Sequence, residues 1–312
     1  MIFERLNTLG KQREPFLFIV DFKAQHIELI PLKDLNSCDI EYSIDATYQK
    51  SFHVKSFEKF PYDFESYKKR FDKVIEYIKS GDTYLLNLTQ PTTIQTELSL
   101  KEIYQLSNAH YKLRYKDEFV CFSPEKFIQI QANKIHTFPM KGTIDASIKN
   151  AKEKILNNEK EMAEHVMVVD LLRNDLSIVS KNVQVEKFRY IDTIDSGDKT
   201  LLQVSSHISG ELSVNWHQNI GNILRLLLPA GSISGTPKKR TLEIIDEVEG
   251  YERGFYSGVF GVYDGQSLDS GVMIRFVQKT QNGYMYKSGG GITLDSDASL
   301  EYEELLDKIY LP

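Results

Sequence analysis

Four glutamates and a lysine are the residues of this chain whose types and spacing most directly suggest chemistry. Glu161 and Glu164 lie three apart, and so do Glu301 and Glu304. On a helix that spacing puts both carboxylates on one face, where like charges repel unless a cation relieves them. All-oxygen donors suit Mg²⁺ or Ca²⁺, and Mg²⁺ keeps waters while also holding an anionic substrate. Two solvated helix faces would read the same way. A di-iron site would need Glu-x-x-His; here His165 follows Glu164 directly and the last predicted helix has no histidine. Lys141 sits in Phe138-Pro139-Met140-Lys141-Gly142-Thr143, a turn between an apolar tripeptide and a Gly-Thr. Burial there would disfavour its ammonium form and free a nucleophile, although an isolated lysine more often snorkels out to water. Glu125, in Ser123-Pro124-Glu125, precedes Lys141 by one short strand pair. An apolar pocket would make it a general acid; alone it reads as a surface turn residue.

Further segments have the composition of anion sites. Gly289-Gly290-Gly291 follows a predicted strand, so its backbone could approach a ligand closely, though a flexible turn has the same composition. Pro229 to Pro237 brings small residues and hydroxyls, Ser232 among them, to a helix N-terminus. It lacks the spacing of a P-loop. Arg275 lies among apolar strand residues and needs a carboxylate, from a ligand or from the protein. His207 reads as a structural histidine.

These residues must be positioned by a mixture of hairpins and helices. Strands are predicted over 16–22, 26–32, 83–90 (stopped by Pro91), 119–122, 127–131, 134–138, 183–190 and 201–212. Helices are predicted from the cap Asp63 to Lys79, with Tyr67, Phe71, Val74 and Ile78 on one face, and over 100–110, 148–172, 216–228, 236–250 and 299–310. Hairpins close the chain: 259–263 with 269–278, then a turn at Asn282-Gly283 into 284–287. Residues 33–62 show no clear pattern. Hairpins interleaved with helices indicate an α+β fold with antiparallel sheets. With no linker-like tract or internal repeat, residues 1–312 read as one domain.

The net charge of −6 argues against a nucleic-acid surface. Lys238-Lys239-Arg240 is a compact basic run and reads as a solvated first helical turn. Cys38 and Cys121 form no metal or redox spacing, which fits a reducing compartment. The start of the chain lacks a signal-peptide h-region, and no apolar run has membrane-spanning length; a cytoplasmic protein without membrane contact is expected.

Taken together, the motifs resemble the chorismate-utilising enzymes, a family that includes anthranilate, aminodeoxychorismate, isochorismate and salicylate synthases. The resemblance runs over about 61–312, the motif-bearing core, and leaves 1–60 as a shortened, divergent N-terminal part. It is carried by Gly81-Asp82-Thr83-Tyr84 with Asn87-Leu88-Thr89, Ser123-Pro124-Glu125, Pro139 to Thr143, Glu164-His165 through Leu176, Pro229 to Lys238, Tyr256-Ser257-Gly258 and Gly289 through Glu304, in the family's order. It implies an orthogonal sandwich of two antiparallel sheets flanked by helices, holding chorismate and Mg²⁺. Glu164 and Glu304 match the main metal carboxylates, with Glu161 and Glu301 supporting them. Gly142 and Thr143 would help hold the ring carboxylate. Tyr256 and Arg275 would clamp the enolpyruvyl carboxylate, and Gly289, Gly290, Gly291 and Lys308 would complete the carboxylate sites. Ser232 matches a position where relatives often have threonine. Gln203 stands where the family has an active-site histidine, so a role needing imidazole is not supplied there.

Position 141 separates the family's branches. Anthranilate synthases carry alanine in this turn and aminodeoxychorismate synthases carry lysine. The resemblance therefore implies attack by Lys141 on chorismate, with Glu125 as general acid, followed by amination. The water-using branch has a lysine base in the strand after Gly81-Asp82; here that strand reads Tyr84-Leu85-Leu86-Asn87. Leu85 also departs from the glutamine frequent in the amine-using branch. Neither cysteine lies in a nucleophile elbow, so ammonia is expected from a separate glutamine amidotransferase subunit. The competing expectations are anthranilate synthase chemistry, a silent subunit that only docks an amidotransferase, and a Mg²⁺ phosphohydrolase, for which no phosphate motif is present.

Overall fold

A computed structural model describes residues 2–45, 57–195 and 200–311. Two antiparallel sheets flanked by helices make the fold α+β. The chain divides into two compact units. The first comprises Met1–Phe16, Lys126–Ser232 and Val262–Asp269, and the second Leu17–Glu125, Ile233–Gly261 and Ser270–Pro312.

In the first unit the strand Thr200–Glu211 is central. Lys134–Thr137 and Met140–Asp145 follow one another along one of its edges, and Lys181–Asp195 lies along the other. Lys126–Gln131 pairs with Lys134–Thr137. The helices are Ile2–Gln12, which the sequence pattern did not reveal, Ala151–Leu156, Glu159–Val179 and Ile220–Leu227. The single helix expected over 148–172 is broken at Asn157 and Asn158. Asn158 instead caps a new helix, its side chain accepting from Glu161 N–H at 3.1 Å.

The second unit is built on an eight-stranded sheet. Its order is Gly235–Thr236, Leu85–Thr96, Gly283–Ile292, Phe276–Thr280, Phe119–Ser123, Tyr111–Tyr115, Ile40–Ile44, with Phe57–Phe60 also on Leu85–Thr96. Of the unpatterned stretch 33–62, residues 46–56 lie outside those described. The helix Phe64–Lys79 matches its sequence signals. Asp63 accepts from Ser66 N–H, and Tyr67, Phe71, Val74 and Ile78 are the buried positions. Stacked rings of Tyr115, Phe119, Phe255 and Phe276 fill the core.

Three expected boundaries move. Leu85–Thr96 runs through Pro91. The segment 269–278 is two strands, separated where Arg275 takes φ +52°. The glycine run is not a loop after a strand but the last part of Gly283–Ile292.

Candidate active site

Unit one holds the lysine. Lys141 lies in the strand Met140–Asp145, whose pairing with Thr200–Glu211 is irregular between Met140 and Thr143. The expected turn is thus a bulge, a device that re-aims a side chain. Gly142 makes it possible. Its φ is +90°, and a Cβ there would lie 3.1 Å from Glu161 Oε2. Lys141 Nζ is 2.7 Å from Glu164 Oε2, with side-chain exposures of 27% and 8%. The contact pairs the lysine with a carboxylate that is almost wholly buried. Lys160 approaches the other oxygen of Glu164 at 3.9 Å. Gln203 pairs across the strands with Thr143. Ser232 follows Gly231, which packs so closely on the long helix that a Cβ would lie 2.8 Å from Asp175 Oδ2.

His165, next to Glu164, is fully buried. Arg189 N–H donates to Ser206 Oγ at 2.9 Å, and the same hydroxyl is hydrogen-bonded to His165 Nε2 at 2.7 Å. Burial, reinforced by the Arg189 charge, pushes His165 down to about 4, while the Lys141 backbone works the other way. No spacing rule points to this relay. His207, expected to be structural, meets His136 Nδ1 through its Nε2 at 3.0 Å and stacks on Phe138.

Unit two holds the second acidic pair and the residues expected to clamp carboxylates. Asp297 caps the helix Ala298–Asp307. Glu301 is buried and accepts from Ser296 Oγ at 2.8 Å, whereas Glu304 is exposed and lies 2.7 Å from Lys308 Nζ. Lys308 Nζ also donates to Gly289 O at 2.9 Å. A Cβ on Gly290 would come within 3.4 Å of Glu301 Oε2 and 3.7 Å of Lys308 Nζ. The glycine run, the lysine and the buried carboxylate are therefore neighbours. Tyr67, which sequence reasoning treated only as core, is held far above its ordinary range by burial and by Glu301 and Glu304. Arg275 reaches Lys308 O at 3.4 Å and lies over the Tyr310 ring. Burial lifts the phenol of Tyr256 to about 12, against the opposing charges of Arg253 and, to a smaller extent, Arg275. Glu125 belongs to this unit; its N–H donates to Ser123 Oγ and its carbonyl accepts from Val272 N–H.

Each unit thus offers two carboxylates and a lysine. Among the described residues no three metal-capable side chains cluster. The donors are carboxylate oxygens, and Gly142 leaves space beside Glu161, a set suited to a hard divalent ion that takes part of its shell from water and substrate. Among the described residues no helix is long and apolar enough to cross a membrane.

The sequence pattern of the chorismate binding enzymes matches residues 17–311. A Haemophilus influenzae protein described as an uncharacterized PabA-like protein is 47% identical over 313 residues, covering 99% of this chain and 95% of that one. Escherichia coli aminodeoxychorismate synthase component 1 is 30% identical over 308 residues, covering 93% of this chain and 66% of the relative. The menaquinone-specific isochorismate synthase of Escherichia coli has a similar fold, with a TM-score of 0.73 at 15% identity over 97% of this chain and 79% of that one. This chain belongs to the chorismate-binding enzyme family and is a chorismate-utilising enzyme.

Proposed function

We propose that the protein is the synthase component of aminodeoxychorismate synthase, making 4-amino-4-deoxychorismate from chorismate and ammonia for 4-aminobenzoate and folate synthesis. The observation that carries this reading is Lys141. It stands on a glycine-dependent bulge and reaches into the acidic pair of the long helix, its Nζ 2.7 Å from Glu164. Once neutral, Lys141 Nζ forms a bond to C2 of chorismate. Both ring double bonds shift along the ring, and the C4 hydroxyl leaves as water with a proton from Glu125, which the proton given up by the Lys141 amine replaces. Ammonia then bonds to C4, both double bonds shift back and Lys141 is expelled as the neutral amine, taking one proton from the ammonia. Two allylic steps replace one hard substitution.

The chain's own residues bind and orient the substrate in this reading. Tyr256 and Arg275 take the enolpyruvyl carboxylate. Gly142, Thr143, Gln203 and Ser232 face the ring and its carboxylate, and Gly289, Gly290, Gly291 and Lys308 complete the carboxylate sites. Glu161, Glu164, Glu301 and Glu304 would hold Mg²⁺, which when bound offsets the charge of the ring carboxylate. Ammonia comes from a partner glutamine amidotransferase, since neither cysteine of this chain lies in a nucleophile elbow. A cytoplasmic setting fits that chemistry.

Mass spectrometry of the protein with chorismate and Mg²⁺ but no ammonia tests the reading. The expected species is the protein plus chorismate less one water, mapped to Lys141. Direct release of anthranilate on adding ammonium, with no adduct on Lys141, would assign the protein to the anthranilate branch instead. No turnover at all by the folded protein would favour a docking subunit.

A further inference from the structure

One edge of the strand Leu85–Thr96 has a gap. Its other edge pairs continuously with Gly283–Ile292, placing Gly289 opposite Thr89 and Gly291 opposite Asn87. On the gapped edge, Gly235–Thr236 covers Leu85 and Leu86, and Asn87 N–H still reaches Ser234 O at 2.9 Å. Phe57–Phe60 covers Thr93 to Thr96. Between these two strands, among the described residues, the carbonyl of Asn87 and the N–H of Thr89 have no strand to meet. Thr89 is buried, so leaving its N–H bare would be costly.

An ion pair stands in for the missing strand. Arg253 Nη2 donates to Asn87 O at 2.6 Å, and Glu249 Oε1 accepts from Thr89 N–H and Thr89 Oγ–H, each at 2.8 Å. The two side chains lock each other in a fork, Nε to Oε2 at 2.8 Å and Nη2 to Oε1 at 2.6 Å. Arg253 Nη1 also donates to Ile233 O at 2.9 Å. Both residues are buried. Lys287, opposite Pro91, donates to Arg253 O at 2.8 Å and ties the pair to the glycine strand itself. The residues the pair grips are those opposite the glycine run. The fit there is tight: a Cβ on Gly289 would lie 2.5 Å from Leu88 O and 2.8 Å from Thr89 Cα. A shift of Asn87–Thr89 therefore has to move Gly289–Gly291.

We propose that Glu249 and Arg253 form a positioning pair that acts as a surrogate edge strand and sets the place of the carboxylate-binding backbone at Gly289–Gly291. This rests on reading that run as a substrate carboxylate site. The pair holds backbone and touches no reacting atom.

The test is chorismate affinity by calorimetry, with amide hydrogen exchange, for the wild type, Glu249→Gln, Arg253→Lys and Thr89→Val. Arg114→Lys is the control. Arg114 is another buried arginine of the same unit, held by Asp39 and Glu41 at the Ile40–Ile44 edge. Glu249→Gln and Arg253→Lys should weaken chorismate binding by about tenfold or more and speed exchange at Thr89 and Gly289–Gly291. Thr89→Val, which removes the hydroxyl that bonds both Glu249 and Tyr251 and keeps the shape, should weaken it by about two- to threefold and carries the test if the charged variants do not fold. Arg114→Lys should lower stability and leave affinity unchanged. Wild-type affinity in folded Glu249→Gln or Arg253→Lys, or equal losses in the control, would overturn the proposal. A wild type that fails to bind chorismate would instead count against the proposed function.

Discussion

The two acidic pairs look alike in sequence and differ in the fold. In each, one carboxylate lies 2.7 Å from a lysine of its own unit. In the long helix the paired glutamate is the second, Glu164, 8% exposed, and its lysine comes from a bulged strand. In the C-terminal helix the paired glutamate is Glu304, 52% exposed, and its lysine is four residues on along the same helix. There the buried carboxylate is Glu301, satisfied by Ser296. Desolvation strengthens the first contact and water weakens the second. The same spacing thus yields a tertiary ion pair with a strand lysine in one unit and a local pair at the end of one helix in the other.

Exchanging the lysines by mutation should separate chemistry from binding most sharply. Lys141→Ala is expected to lower aminodeoxychorismate formation by roughly a hundredfold or more while chorismate affinity stays within a few-fold, because a nucleophile is lost and no clamp is touched. Lys308→Ala should do the opposite, raising KM for chorismate and leaving the product unchanged. Steady-state kinetics with product identification checks both. Unchanged product and turnover in Lys141→Ala would remove the lysine from the mechanism.

Stability should divide the pairs next. Glu164→Ala leaves Lys141 half-buried without its carboxylate and is expected to cost about 1–3 kcal/mol. Glu304→Ala should cost less than ~0.5 kcal/mol, since Glu304 is 52% exposed and Lys308 keeps its bond to Gly289 O. Urea unfolding at matched pH measures both; equal costs would erase the distinction drawn from burial.

Much of this was legible in the chain, for local reasons. The Asp63 cap and the buried face of its helix follow from a capping residue and a 3.6-residue period. Features that depend on a distant strand were not. Pro91 reads as a strand stop, yet its missing N–H falls between the Glu249 contact to Thr89 and the start of pairing with Phe57–Phe60, where no bond is lost. Gly289 to Gly291 read as a loop because glycine has weak strand propensity. Here the opposing strand lies too close for a Cβ. The Glu249–Arg253 pair is an unremarked i, i+4 spacing until the edge it completes is seen. In the expected site, residue types and order singled out Glu161, Glu164, Glu301, Glu304, Lys141, Lys308 and Arg275 as candidates. Which carboxylate of each pair is buried depended on the tertiary neighbours.

Unit two does bury a lysine, but not one of the acidic pair. Lys287 is 4% exposed, and burial together with the Arg253 charge lowers it to about 8 from an ordinary 10.5. Its folded value lies below its unfolded one, so between about pH 8 and 10.5 the unfolded chain holds the extra proton and stability must rise with pH. The buried Cys121 thiol, raised by burial from an ordinary 9.0, begins to oppose this near pH 9, and buried tyrosines near pH 10. The clean window is therefore pH 8–9, where a gain of about 0.5–1 kcal/mol is expected in unfolding experiments. Lys287→Met should flatten that slope. A wild-type slope of zero or opposite sign would show that Lys287 stays charged inside the fold.

The smallest effect is also the strictest test of the comparison. A double-mutant cycle on Glu304 and Lys308 should return a coupling of about 0.3–0.5 kcal/mol, as for exposed i, i+4 pairs, and it should fade in 0.5–1 M salt as the Debye length shrinks toward ~3 Å. The matching cycle on Glu164 and Lys141 should be larger and should persist in salt, because a buried carboxylate is poorly screened. Lys308 also donates to Gly289 O, so its single variant carries a loss that the cycle cancels. If the Glu304–Lys308 coupling equals the other and resists salt, Glu304 is shielded in solution despite its exposure, and the two acidic pairs are alike in environment as well as in spacing.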